Sequence, residues 1–346
     1  MLPGGAPSAV VAVDVDVATV RTLHVRRSNK DLVVDGFRIA PLKGPAARAL
    51  GDACKEAMRL RLGDEPIAVC VASAEAAIRK IELPPMSASE LREALPWEAR
   101  RHIAGLAEDA IVDAQVLEAG NERTPMEVLL VAYPAASYAA LESVFAALGI
   151  EPTFVDVRQL ATLNAVADAG SPSTPIALLD LGAVSGMFAI FARSDLLLLR
   201  DLGQRVTHLN TLLHRQFGLD ENGLDGLRAT GKLPDGKTPA ADELEGALAE
   251  VANELTEDIR SGLVFLENST GASIDRVLLT GGSAALLDRQ GISSVMAAHA
   301  GVNIERYHPF RSMRVGIVDE LGLKSHDADF CAAVGVASRF FASRRG

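Results

Sequence analysis

The chain has 346 residues, 49% hydrophobic and 23% charged, which is the profile of a packed globular protein too long for a single core. Lys and Arg number 34 against 45 Asp and Glu. The formal net charge of −11 excludes a general nucleic-acid binder, whose phosphate contacts need a basic face. Cys54, Cys70 and Cys331 show no CxxC spacing, so buried thiols are expected and not a disulfide frame or a zinc site. No apolar run reaches the roughly eighteen residues of a membrane span, and the first residues lack a basic stretch followed by an apolar one. A cytoplasmic location with no direct membrane span is the expectation.

The run Val10-Val11-Ala12-Val13-Asp14-Val15-Asp16 is apolar and ends in an acidic turn, and Ile176-Ala177-Leu178-Leu179-Asp180-Leu181-Gly182 repeats the design. A second strand-like run follows each, Val20 to Val25 and Met187 to Ala192, and then a third, Leu32 to Ile39 and Leu196 to Arg200. Apolar runs of four to eight residues bounded by turns suit buried strands. The repeat predicts two related α/β lobes, 8–168 and 176–346, joined by the linker Gly170-Ser171-Pro172-Ser173-Thr174-Pro175.

The first lobe continues as a helix over Ala46–Leu62 and a strand over Ile67–Val71. A stretch of different character, about 76–125, reads as an inserted strand–helix–strand subdomain. Ile78–Leu83 is its first strand, and Ser87 with Glu90 forms a capping box that starts a helix toward His102. Pro96 is expected to kink or split that helix. Ile111–Leu117 is the second strand; Glu127–Ala132 and Tyr138–Leu148 return to the main lobe as strand and helix. In the second lobe a helical subdomain occupies about 206–270. Its long helix, Ala241–Leu266, carries the apolar stripe Leu244, Leu248, Val251, Leu255, Ile259 and Leu263. A strand at Arg276–Leu279, the turn Thr280-Gly281-Gly282-Ser283 and a closing helix at Cys331–Phe341 complete the chain.

Signatures of nucleophilic or metal catalysis and of phosphate-binding glycine loops (GxSxG, HExxH, GxxxxGK[ST], a strand-following GxGxxG) are all missing. Three turns remain. Asp14 and Asp180, each ending a strand, can face each other across a cleft and hold a hydrated Mg²⁺ on a nucleotide's phosphates. Gly182 and Gly186 let backbone amides approach a phosphate, and Gly281-Gly282 lets a base or ribose lie against the backbone.

In that order these turns resemble the PilM family of type IV pilus assembly proteins, which have an actin-like (ribonuclease-H-like) two-lobed fold. The resemblance spans nearly the whole chain. It rests on the Asp14 turn, Ile81-Glu82-Leu83-Pro84, Trp97-Glu98-Ala99-Arg100, Val155-Asp156-Val157 and Leu179-Asp180-Leu181-Gly182. It continues through Arg200-Asp201-Leu202, Asp258-Ile259-Arg260, Leu278-Leu279-Thr280-Gly281-Gly282-Ser283 and Tyr307-His308-Pro309-Phe310. The resemblance implies ATP and Mg²⁺ as ligands, with Mg²⁺ held through water by Asp14 and Asp180. Thr19, Arg21, Ser185 and Gly186 would lie at the phosphate turns, Asp258 and Ser261 at the ribose, and Gly281, Gly282 and Ser283 at the adenosine. It implies as partner the cytoplasmic N-terminal tail of an inner-membrane PilN-like protein, and so a place peripheral to the inner membrane; self-association is left open.

The first turn departs from the family pattern, which reads Asp-Ile-Gly followed by small hydroxylic residues. Here it is Asp14-Val15-Asp16-Val17-Ala18-Thr19. A carboxylate about 4 Å from phosphate charge costs about 4 kcal/mol at an effective dielectric near 20. That is on the order of a thousandfold in affinity. Arg21 is the residue placed to neutralise Asp16. The departure predicts weakened nucleotide binding and at most a weak ATPase. It leaves two alternatives beside a pilus scaffold, a nucleotide-free actin-like adaptor and a small-molecule kinase of the same superfamily.

Overall fold

The computed structural model describes residues 7–29, 31–42, 46–61, 63–72, 75–167, 174–192, 195–316, 322–323 and 326–343. The predicted linker lies mostly outside the described residues. The chain forms two compact units, one of Met1–Ala72 with Ile150–Gly346 and one of Ser73–Gly149.

The larger unit opens with β1 (Ala9–Val15), β2 (Thr19–Ser28) and β3 (Asp31–Pro41), then α1 (Ala46–Ala57) and β4 (Ile67–Val71). The helix stops short of the predicted Leu62, its last turn tightening to a 3₁₀ turn at Met58–Leu60. Every residue of β1 from Val10 to Val15 is buried, because the strand has a neighbour on each side and is covered on both faces.

The smaller unit consists of β5 (Ala77–Leu83), α2 (Ala88–His102), β6 (Ile111–Glu118), β7 (Met126–Tyr133) and α3 (Ala135–Ala147). Its sheet has the order β5-β7-β6, all antiparallel. β7 is the central strand, Val128 pairing with Ile81 on one side and Val116 on the other. The unit therefore takes in 126–149, which the sequence pattern alone assigns to the main lobe. The Ser87–Glu90 capping box is present. Leu91, Leu95 and Ala99 repeat at four-residue spacing and bury against Ile81, Leu83, Val128 and Leu130. Of the two outcomes expected at Pro96, splitting does not occur, and α2 is one continuous helix. Pro96 and Arg92, whose carbonyl loses its donor, are both exposed to water, and the packed Leu91–Leu95–Ala99 face carries the helix through.

The larger unit resumes with β8 (Phe154–Val157), α4 (Arg158–Val166), β9 (Ile176–Leu181), β10 (Gly186–Ala192) and β11 (Asp195–Asp201). Then come α5 (Gly203–Phe217), α6 (Glu221–Thr230), α7 (Ala241–Thr270), β12 (Arg276–Thr280), α8 (Gly282–Arg289) and α9 (Ile292–Ala300). β13 (Asn303–Arg306), β14 (Arg314–Val315) and α10 (Cys331–Ala342) follow. The two sheets run β14-β3-β2-β1-β4-β8 and β11-β10-β9-β12-β13. In each, an antiparallel trio (β3-β2-β1 and β11-β10-β9) ends in the first strand, which is flanked on its other side by two parallel ones. The repeated opening seen in the sequence is thus a repeated sheet. β9, β10, β12 and β13 share one core with α5 to α9, to which the α7 stripe contributes Leu244, Leu248, Val251, Leu255 and Ile259.

α10 packs on α4 so closely that a Cβ on Gly335 would lie 1.6 Å from the Ala161 carbonyl oxygen. The Tyr307 hydroxyl donates to the Ala165 carbonyl at 2.7 Å and holds the other end of α4. All three cysteines are buried free thiols. Among the described residues no helix is long and apolar enough to cross a membrane.

Candidate functional site: an ionic cluster at the strand ends

Asp14 and Asp180 occupy the same place in the two sheets, one residue before the end of β1 and of β9. Asp14 lies opposite Arg21 on β2 and Cys70 on β4; Asp180 lies opposite Met187 on β10 and Thr280 on β12. Both are buried. The Asp16 amide donates to the Thr19 carbonyl at 2.9 Å and closes the β1–β2 turn. The Asp16 carboxylate Oδ1 in turn accepts the Val17 amide at 2.9 Å.

Two guanidinium groups meet these carboxylates. Arg21 Nη1 donates to Asp16 Oδ2 at 3.1 Å and to Asp14 Oδ2 at 3.4 Å. Arg158, the first residue of α4, donates through Nη1 to Asp16 Oδ2 and lies 3.4 Å from Asp14 Oδ2. β8 sets Arg158 there, since Asp156 pairs with Cys70 and Cys70 with Asp14. The Cys70 thiol donates to Asp14 Oδ1 at 3.4 Å.

Burial would raise every carboxylate here, and the arginines decide which ones escape. For Asp16, Arg158, Arg21 and the Val17 amide outweigh burial and bring the carboxyl down to about 2. For Asp14 burial outweighs Arg158 and Arg21, and the carboxyl is raised. Burial takes Asp180 up to about 7; Arg158 opposes this, while Asp14 and Asp16 add to it.

A small cleft of about 70 Å³ opens beside this cluster, lined among others by Asp16, Thr19, Arg21, Arg158, Arg228 and Asp329. Burial would raise Asp329, but its hydrogen bond with His326 and the charge of Arg21 hold it below its usual value.

The second turn is also tied internally. The Gly182 amide donates to the Ser185 carbonyl at 2.9 Å, and the Ser283 hydroxyl donates to the Gly182 carbonyl at 2.7 Å. Arg228 of α6 donates from Nε to Ser283 Oγ at 3.0 Å and from Nη1 to Asp225 at 2.8 Å. Its Nη2 donates to Asn210 Oδ1 and, at 3.3 Å, to the Ala183 carbonyl. Ser185 is buried beside this turn. Gly186 serves packing, since a Cβ there would meet Val206 Cγ2 of α5 at 2.9 Å. Gly281 has φ of 93°, and a Cβ would lie 2.3 Å from the Leu181 carbonyl, so the crossing of turn and strand requires glycine. Gly282 lines the cleft facing Asp329.

Asp258 and Ser261 stand elsewhere, in an ion-pair network that ties α7 to β11 and α5. Arg200 Nη1 donates to Ser261 Oγ at 2.7 Å and to Asp258 Oδ1 at 3.3 Å; Arg205 Nε donates to Asp258 Oδ2 at 2.9 Å. Neither residue lines the cleft.

Sequence reasoning pairs Arg21 with Asp16 but misses Arg158, Arg228 and Asp329. Arg158 had one signal, its place directly after Val155-Asp156-Val157. A phosphate on the first turn would need free amides and free cations. Here the Val17 amide is taken by Asp16, and both guanidinium groups face carboxylates. As arranged, the turn does not fit a phosphate. Among the described residues no group of three or more His, Cys, Asp or Glu is placed to hold a metal.

Comparison with known proteins places this geometry in a family. The family model "Type IV pilus assembly protein PilM" matches residues 12–341. Among solved structures, one titled "PilM-PilN type IV pilus biogenesis complex" matches with a TM-score of 0.78 at 22% identity, covering 96% of this chain and 98% of that one. A Bacteroides thetaiotaomicron protein described as having an actin-like ATPase fold and unknown function matches with a TM-score of 0.50 at 11% identity, covering 89% and 93%. No curated protein matches the chain. The fold is the actin-like two-lobed one, and the chain belongs to the PilM family of type IV pilus assembly proteins.

Proposed function

We propose that the protein is a cytoplasmic scaffold of a type IV pilus or related secretion machine, and that it binds the cytoplasmic N-terminal tail of an inner-membrane PilN-like component without needing ATP hydrolysis. The observation that carries this reading is the end-to-end match, at a TM-score of 0.78, to a structure titled as a PilM–PilN complex. The neutralised first turn supports the absence of turnover. Phosphoryl transfer needs donors placed where phosphate charge develops, and Asp16 sets a carboxylate there. ATP and Mg²⁺ are therefore not required ligands in this reading, and Asp14 acts as a structural partner of Arg158.

The test is co-isolation of the full chain with a synthetic tail peptide from the PilN-like protein of the same organism, followed by calorimetric titration. Association in the micromolar range is expected. No association at roughly 100 μM peptide, about −5.5 kcal/mol, would overturn the reading.

A further inference from the structure

We propose that Asp16 is a built-in replacement for a nucleotide phosphate. Its carboxylate takes the anion position of the first strand turn and engages the Val17 amide, Arg21 and Arg158, which would otherwise hold a phosphate, so the cleft is set without a ligand.

Three donors from three elements converge on this one carboxylate. Oδ1 accepts the Val17 amide of the turn, and Oδ2 accepts Arg21 Nη1 of β2 and Arg158 Nη1 of α4. A backbone amide and two guanidinium groups form the donor set that a phosphate oxygen cluster takes elsewhere. A carboxylate brings only two oxygens. Buried donors in the same place are left over: Thr19 Oγ1, Arg21 Nε and Arg158 Nε have no partner. Thus the site is shaped for more anion than Asp16 supplies, while its two guanidinium groups already face Asp16 and Asp14. Beyond it stand Asp225 and Asp329, which line the same cleft and repel a further polyanion. A covalently attached anion needs no free ligand to bind, so the Arg158 and Arg21 contacts persist at any nucleotide concentration. The inference concerns the cleft alone and does not depend on which partner the protein binds.

Two variants of the full chain separate charge from geometry. Asp16→Asn keeps an oxygen to accept the Val17 amide but removes the charge; Asp16→Gly also frees the amide. Thermal unfolding is measured in chloride, in inorganic phosphate at matched ionic strength, and in Mg-ATP. The wild-type midpoint is expected to stay unchanged by phosphate and by Mg-ATP. Both variants are expected to unfold at lower temperature in chloride and to recover in millimolar phosphate. Asp16→Gly should bind phosphate at least about tenfold more tightly than wild type. Stabilisation of the wild type by Mg-ATP as large as that of Asp16→Gly would overturn the proposal. So would variants, folded or not, that phosphate fails to stabilise or restore.

Discussion

The guanidinium of Arg158 is hydrogen-bonded to the carboxylate of Asp16, 142 positions earlier in the chain. The contact joins the start of α4 to the β1–β2 turn. Both side chains are withdrawn from water, Arg158 at 3% and Asp16 at 5% exposure, so neither charge can be left alone cheaply.

Removing Arg158 leaves Asp14 and Asp16 sharing Arg21 alone. Arg158→Met is predicted to lower stability by about 3–5 kcal/mol, the usual cost of an orphaned buried charge. Urea unfolding followed by circular dichroism measures it. In the double variant Asp16→Leu with Arg158→Met the loss should be smaller than the sum of the single losses, because neither partner remains to be stranded.

Asp180 gives the fold a pH dependence of definite sign. The folded chain holds the Asp180 proton up to about pH 7, whereas the unfolded chain releases it near the ordinary value of 3.8. Between those values the native state binds more protons, so stability falls as pH rises, by up to about 1.4 kcal/mol per unit. Asp14, also raised by burial, contributes with the same sign. Asp16, held at about 2, stabilises the fold above its unfolded value and loses that contribution only under more acid conditions. Asp180→Asn is predicted to flatten the decline between about pH 4 and 7 and to exceed the wild type in stability at about pH 8. Urea midpoints across that range check it.

The α4–α10 crossing depends on Gly335. An added Cβ would sit 1.6 Å from the Ala161 carbonyl oxygen, and a backbone atom cannot rotate away as a side chain can. Gly335→Ala is predicted to cost about 3 kcal/mol or more, at the upper end of overpacking penalties, seen as a lowered melting temperature.

In the smaller unit the Ser87 hydroxyl accepts the Glu90 amide, and the Glu90 carboxylate accepts the Ser87 amide at 2.7 Å. Ser87→Ala is predicted to cost about 1 kcal/mol. Amide hydrogen exchange in the first turn of α2 should quicken, while exchange in β1 and β9 stays unchanged.

The two related sheets were legible in the sequence because β1 and β9 are buried on both faces and so read as unbroken apolar runs, each with its aspartate one residue from the end. Arg21 was legible because it sits across a two-strand turn from Asp14, a local relationship. Arg158 was not, since its partners lie 142 and 144 positions away and a lone arginine at a helix start carries no pattern. The extent of the smaller unit was hidden for the same reason, as β7 looks like any core strand until its pairing with β5 and β6 is known. That α2 runs unbroken through Pro96 was not legible, because proline rules are local, whereas the Leu91–Leu95–Ala99 packing that preserves the helix is tertiary.

Partner binding is expected to proceed with the cleft held by the chain's own charges. The most direct measurement is the dissociation constant of the PilN-like tail peptide from the full chain, first with nucleotide removed by apyrase and then with saturating Mg-ATP. The same constant is expected in both conditions and in Asp180→Asn. A tail that binds only when Mg-ATP is present, and loses binding in folded Asp180→Asn, would contradict it and establish a nucleotide switch.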